Sequence, residues 1–92
     1  MTIVWSRAAL RDLNAIAAYL VERDPDRVGE VIAKLTAMVA RYSRFPNLGR
    51  QGPTLGTREI VVPGLPYIVA YRVRGEVFEV LCVRHTSRDT PI

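Results

Sequence analysis

Apolar residues recur at helical spacing in two segments of the first half of the chain. In residues 7–23 the apolar residues at helical spacing are Leu10, Leu13, Ile16, Ala17 and Leu20, and the charged residues fall mostly elsewhere. Residues 25–43 repeat the i, i+3, i+4, i+7 pattern at Val28, Val31, Ile32, Leu35, Met38, Val39 and Tyr42. Such spacing gathers the apolar side chains of a helix into one stripe that must be buried. Two amphipathic helices are therefore predicted, over residues 7–23 and 25–43.

Residues that can satisfy free backbone groups mark the starts of both helices. The Ser6 hydroxyl can accept a hydrogen bond from an amide in the first turn of the first helix. Asp24 and Pro25 are interpreted as the cap and first position of the second helix, because proline has no amide hydrogen to lose there. A connection this short predicts an antiparallel helical hairpin.

Short runs of β-branched and aromatic residues, bounded by turn residues, predict strands over residues 2–5, 57–62, 67–73 and 76–85. Arg74 and Gly75 form the predicted turn between the last two strands. The loop before residue 57 contains two prolines and three glycines, and it is long enough to be functional. The order of elements predicts one α+β domain over residues 1–92, in which the helical hairpin packs on a mostly antiparallel sheet.

A regular two-residue turn sets the expected pairing of the last two strands. It places Tyr71 opposite Phe78 and Val69 opposite Val80 on the core face, and alternation along the strand puts Cys82 on that face as a small buried hydrophobe. The other face would then carry Ile68, Ala70, Arg72, Val77, Glu79, Leu81, Val83 and His85. A slip of one residue would exchange the two faces.

Composition and charge narrow the class of protein. Apolar residues make up 49% of the 92 residues and charged residues 24%, as in an ordinary globular domain. Neither a signal peptide nor a membrane span is recognisable, and with Cys82 as the lone cysteine no internal disulfide is possible, so we expect a cytoplasmic protein. One histidine and scattered carboxylates do not make a metal-ligand set, and no cofactor motif is present.

The net charge of +4 lies in the second half of the chain. Through Ala40, five basic residues balance five acidic ones, whereas eight arginines face four acidic residues after it. This asymmetry indicates either an acidic partner, such as nucleic acid or an acidic peptide, or simply a solvated basic surface.

Four segments taken in order resemble the ParE/RelE superfamily of toxins from toxin–antitoxin systems. They are "IVWSRAALRDLNAIAAYL", "FPNLGRQG", "GTREIVVPGLPYIVAYRV" and "VLCVRHTSR", and the resemblance covers nearly the whole chain. It implies a small bacterial toxin held inactive by a cognate antitoxin, ParD-like or related. Members of the ParE branch block DNA gyrase, whereas members of the RelE branch cut messenger RNA in the ribosome, and the shared fold does not decide between them.

Cleavage of RNA requires an acid and a base together with cations around the phosphate. For that alternative the candidate residues are Arg58, Arg72, Arg84 and His85. The only lysine, Lys34, lies on the second helix, and no tyrosine follows Tyr71 to supply the C-terminal tyrosine of many RNA-cleaving relatives. The ending therefore looks more like the ParE branch, and we interpret His85 as the polar end of a strand.

The favoured hypothesis is a toxin that inhibits DNA gyrase by binding and has no catalytic residues. Its antitoxin is expected to fold onto the helical hairpin and an exposed strand edge. Candidate contacts to a partner are Arg50, Arg58, Arg72, Arg84 and Arg88. For some of them an intramolecular ion pair is an alternative: Arg58 with Glu59, or Arg72 with Glu79. Two further hypotheses stay open: a ribosome-dependent endoribonuclease, and a toxin-like domain that has lost its activity.

Overall fold

The computed structural model describes residues 1–88, except for the side chain of Arg88. A short strand β1, Thr2–Trp5, leads into helix α1, Arg7–Arg23, and a 3₁₀ turn connects α1 to helix α2, Val28–Arg44. The remaining strands are β2 (Arg50–Gln51), β3 (Arg58–Val61), β4 (Tyr67–Arg74) and β5 (Val77–His85), and a second 3₁₀ turn spans Thr86–Arg88. The fold is α+β, as the sequence predicts. No helix in this part of the chain is long and apolar enough to cross a bilayer.

Both helices are present, but the start of the second one differs from the prediction. Ser6 caps α1 by accepting a hydrogen bond from the Ala9 amide, as expected. Asp24 makes no side-chain cap, and residues 25–27 form the 3₁₀ turn before α2 begins at Val28. The prediction that Asp24 caps an α-helix starting at Pro25 is therefore wrong. Short 3₁₀ turns of this kind are frequent at helix termini and as connectors between helices.

The strands form a single sheet in the order β1-β5-β4-β3-β2. β1 lies parallel to β5 and the other neighbours are antiparallel. Strand boundaries differ from the predicted ones by a residue at several ends, and β2 was not predicted, because two residues carry no periodic pattern. β2 pairs with the edge of β3 and so ties the long loop to the sheet.

The core lies between the helices and one face of the sheet. Tyr71, Phe78, Val80 and Val69 are buried on that face, as predicted, against an apolar stripe of α2 formed by Val31, Leu35 and Val39. Trp5 packs at the margin of the same core. The helices thus cover one side of the sheet. We call the opposite side the outer face.

The pairing of β4 with β5 departs from the predicted register at two points. The turn consists of Gly75 and Glu76, so that Tyr71 lies opposite Val80; this two-residue displacement leaves the faces unchanged. An irregularity between Tyr71 and Ala70 then leaves Leu81 as an extra residue, and Cys82 pairs with Ala70. The bulge reverses the alternation after Val80.

The bulge corrects the predicted positions of three residues. Val83 and His85, expected on the outer face, lie opposite Val69 and Tyr67 on the helix side. Cys82 is half-buried on the outer face and accepts a hydrogen bond from Arg84, so the prediction that it is a core residue is wrong. Two polar groups of the N-terminal half meet this segment, since the Ser6 hydroxyl donates to the Leu81 carbonyl and Asp12 Oδ2 accepts from the Val83 amide.

The loop between α2 and β3 is anchored by the hydroxyl of Tyr71. This hydroxyl donates to the Pro46 carbonyl at 2.6 Å and accepts from the Gly49 amide at 3.1 Å. A Cβ atom at Gly49 would lie 2.8 Å from the Tyr71 ring and 2.9 Å from the Glu59 carbonyl oxygen. Only glycine lets the loop approach the sheet this closely.

Candidate functional site

The four residues named for an RNA-cleaving centre lie on both sides of the sheet. Arg58 is opposite Tyr71 and His85 is opposite Tyr67, so both project to the helix side. Arg72 is opposite Glu79 and Arg84 is opposite Ile68, both on the outer face. The sheet itself therefore separates the histidine from two of the three guanidinium groups.

Arg58 supports the long loop. Its Nη1 donates to the Gly49 carbonyl at 2.8 Å and to the Asn47 carbonyl at 3.3 Å. The alternative of an ion pair with its neighbour Glu59 is not formed, because adjacent residues of a strand point to opposite faces and Glu59 pairs with Arg50 and Arg84 instead. Arg58 thus stabilises the same loop base that Tyr71 anchors.

Glu59 is the centre of an ion-pair cluster on the outer face, and its side chain is only 5% exposed. Its Oε1 accepts from Arg50 Nε at 3.0 Å and lies 2.9 Å from Arg50 Nη2, and its Oε2 accepts from Arg84 Nη2. The cluster connects β2, β3 and β5 across four strands of the sheet. Both arginines are thereby held in place while their guanidinium groups remain partly exposed.

Arg72 and Glu79 form a second ion pair on this face, with Nε 2.7 Å from Oε1. This pairing was an alternative in the sequence prediction, and the structure confirms it, directly across the strands and not on a diagonal. The side chain of Arg88 lies outside the described residues. Of the predicted partner contacts, Arg50, Arg72 and Arg84 thus share the outer face, and Arg58 does not.

His85 lies on the helix side of the sheet, in the wall of a groove between α1 and the strands. Its Nδ1 accepts from the Ser87 amide at 3.1 Å and lies 2.7 Å from the Ser87 hydroxyl oxygen. The imidazole packs edge-on against Tyr67, with the ring centroids 5.5 Å apart and the planes at 90°. Burial raises the pKa of Tyr67 above its usual 10.0, and the neighbouring Tyr19 raises this pKa further, while Arg27 lowers it. No guanidinium group lines this groove among the described residues.

We call this depression the α1 groove. It has a volume of about 460 Å³, and its walls include Asp12, Ile16 and Tyr19 of α1 and Tyr67, Val83 and His85 of the sheet. Asp12, Ile16 and Tyr19 share one side of α1 by their spacing of four and three residues. Asp12 was not singled out from the sequence. Its spacing of four residues from Ile16 and seven from Tyr19 places all three on one side of a helix, and this pattern could have identified it. Lys34, by contrast, bonds the Pro63 carbonyl beyond β3.

Comparisons with known proteins agree on one family. The model of the ParE toxin of the type II toxin–antitoxin system parDE matches residues 3–90. Protein Y4kP of Sinorhizobium fredii is 38% identical over 97% of this chain and 92% of its own length. Toxin RelE1 of Caulobacter vibrioides is 36% identical, over 91% of each chain. The solved structure of the chromosomal ParDE system from P. aeruginosa superposes with a TM-score of 0.85 at 24% identity, covering 92% of this chain and 95% of that one, which shows the common fold.

Proposed function

Because the chain belongs to the ParE toxin family of type II toxin–antitoxin systems, within the ParE/RelE superfamily, we propose that a cognate antitoxin neutralises it and that its target is DNA gyrase. It inhibits gyrase by binding, without catalysis of its own. The toxin binds both the antitoxin and DNA gyrase in the cytoplasm. The antitoxin is related to ParD, the partner named in the solved relative.

The observation that supports a binding mechanism is the separation of His85 from the arginines of the outer face. General acid–base catalysis at a phosphate needs the proton-transfer group and the cations within hydrogen-bond reach of one reacting centre. Here His85 faces the α1 groove and bonds Ser87, while Arg72 and Arg84 hold carboxylates on the opposite side of the sheet. This arrangement favours a docking surface over an active site.

The outer face is the surface we assign to gyrase. Arg50, Arg72 and Arg84 lie on it with guanidinium groups that Glu59 and Glu79 hold in place. Side chains ordered before binding lose less conformational entropy when a partner docks. A rigid basic face therefore suits an acidic region of a large protein target.

The antitoxin is assigned to the helix side. An antitoxin segment that folds on binding can lie in the α1 groove, where Ile16, Tyr19 and Val83 provide apolar surface. An antitoxin segment in the α1 groove leaves the outer face uncovered. The antitoxin would therefore block gyrase either sterically, by its size, or through a second contact that covers the outer face.

The alternative is a ribosome-dependent endoribonuclease, and the name of the related toxin RelE1 keeps it open. The test adds purified protein to a gyrase supercoiling reaction and to ribosomes programmed with defined messages. We expect supercoiling to stop, messages to remain intact, and His85→Ala to inhibit gyrase within about twofold of wild type, since His85 does not lie on the outer face that is assigned to gyrase. Codon-positioned cuts that disappear in His85→Ala would replace the proposal with the nuclease. Silence in both assays would indicate that activity has been lost.

A further inference from the structure

The α1 groove is lined by an acidic residue, although the molecule as a whole is basic and the cations of Arg23 and Arg27 lie at the groove margin. The chain carries a net charge of +4, yet among the described residues that line the groove the one formal charge is the carboxylate of Asp12. Asp12 Oδ2 accepts one hydrogen bond, from the Val83 amide at 2.9 Å. A carboxylate has about four lone-pair sites, so one such bond leaves it able to accept further donors.

The rest of the groove is rich in aromatic rings, whose faces attract cations. The rings of Tyr67 and His85 meet at 90° and form a corner. The His85 ring is held in this corner by the Ser87 amide, which donates to its Nδ1 at 3.1 Å. Tyr19 already holds a cation at the groove margin, since the guanidinium carbon of Arg23 lies 4.9 Å from its ring centroid.

We propose that the α1 groove binds a basic side chain, lysine or arginine, which the antitoxin carries between apolar residues. The apolar neighbours of that side chain pack on Ile16 and Val83, and its charged end meets Asp12 beside the aromatic rings. The identity of the occupant rests on the proposed function; the cation preference of the groove rests on its own residues.

Charge complementarity carries this assignment. An acidic segment placed in the groove would bring its carboxylates against Asp12, and like charges at short range are unfavourable. The acidic residues of an antitoxin would instead suit the outer face, where the excess of arginines lies. The charge that lines the groove is therefore opposite in sign to the net charge of the chain, and the segment that fits the groove is amphipathic with a basic anchor.

The test uses two synthetic amphipathic peptides that differ at one central position, which is arginine in one and citrulline in the other. Leucines stand one helical turn to either side of it. Citrulline keeps the size and hydrogen-bonding shape of arginine without its charge. We expect the arginine peptide to bind the wild-type protein about three- to tenfold more tightly, as a partly desolvated cation contact predicts.

Asp12→Asn should abolish this preference, and Asp26→Asn, an exposed acidic position outside the groove, should retain it. Asparagine keeps an oxygen that can accept the Val83 amide, and the peptide pair gives the same comparison without altering the protein. Chemical shifts of the Val83 amide and the His85 ring, followed by NMR, locate the peptide. Equal affinities for wild type, a preference that survives in Asp12→Asn, or no binding of either peptide would each overturn the proposal. Gyrase inhibition, measured separately, would be untouched by any of these results.

Discussion

At the scale of single residues, Glu59 stands out: among the residues that form ion pairs in the part of the chain that the structure describes, its side chain is the least exposed. Both of its oxygens are engaged, by Arg50 and by Arg84. Removing the charge leaves two guanidinium groups facing each other over a buried amide. We expect Glu59→Gln to lower the free energy of unfolding by about 1–3 kcal/mol, less than for a fully buried pair because both arginines are partly exposed.

Glu79→Gln is the matched control, because Glu79 has a side chain 25% exposed and one arginine partner. The free energy of unfolding should fall by less than about 1 kcal/mol in Glu79→Gln, as for surface ion pairs. Urea denaturation of the two variants measures the difference. Equal losses would show that burial and the second arginine add nothing at Glu59.

Tyr71 links stability to alkaline pH. Burial raises its pKa above the usual 10.0, and the hydrogen bond from the Gly49 amide lowers that pKa by less. Below pH 10.0 both the folded and unfolded chains keep the phenol proton. Above it the unfolded chain loses the proton first, so the stability contributed by this group falls as pH rises.

Tyr71→Phe should therefore reduce the loss of stability above pH 10.0, although Tyr67, whose pKa is also raised, retains part of it. At neutral pH the variant should be less stable by about 1–3 kcal/mol, because the Gly49 amide and Pro46 carbonyl lose their partner. Tyr19→Phe, at an exposed position, is the comparison, and it should change the loss of stability above pH 10.0 less, through its effect on the pKa of Tyr67. Urea midpoints measured from pH 8 to 11 give the comparison, and an unchanged slope in Tyr71→Phe would contradict the assignment.

At the scale of elements, the helices were predictable and the end of β5 was not. The periodic apolar positions of α1 and α2 each extend over several turns, so one misjudged residue does not change the result. A strand has a period of two, and the single extra residue at Leu81 moves every later side chain to the other face. The bulge has no local signal in "EVLCVRH", because Leu81, Cys82 and Val83 are all plausible core residues. Contacts distant in sequence stabilise it, from Ser6 and Asp12 to this segment.

The bulge can be tested by making the same substitution, valine to alanine, at one residue on each side of the sheet. Val83 is 6% exposed on the helix side, whereas Val61 is 48% exposed on the outer face. We expect Val83→Ala to cost about 1–3 kcal/mol of folding stability, for the lost burial and the cavity. Val61→Ala should change stability by no more than about 0.5 kcal/mol. A regular strand would make Val83 the exposed residue, so a negligible effect there would contradict the observed register.

At the scale of the whole molecule, the sheet divides the toxin into two surfaces of different chemistry. The outer face combines arginines with two internal carboxylates, and the helix side has an aromatic groove with Asp12. The family followed from the resemblance of four sequence segments, and the fold from the periodicity along the chain. The ion-pair cluster did not, because Glu59 meets Arg84 across 25 positions of sequence, and strand order decides such contacts. The arginines predicted to contact a partner therefore do not share one surface. Arg58 lies on the helix side of the sheet and bonds the loop through the Gly49 carbonyl.

The proposed division of labour predicts that charge matters for gyrase on one face only. Arg74 alternates with Arg72 on β4 and is exposed on the outer face, whereas Arg11 is exposed on α1, outside the groove. We expect Arg74→Glu to raise the concentration needed to arrest supercoiling by about three- to thirtyfold, and Arg11→Glu to change it by less than about twofold.

Both variants make the same change in net charge, so a general electrostatic attraction would affect them equally. Inhibition by the wild-type protein should also weaken as salt rises from about 0.05 to 0.2 M, since exposed charges are screened within about a Debye length, near 10 Å at 0.1 M. Arg74→Glu should show a smaller salt dependence than Arg11→Glu. Because neither side chain belongs to the core, circular dichroism should show both variants folded, which leaves the target contact as the source of any difference. Equal effects of the two substitutions would mean that gyrase does not bind through the outer face.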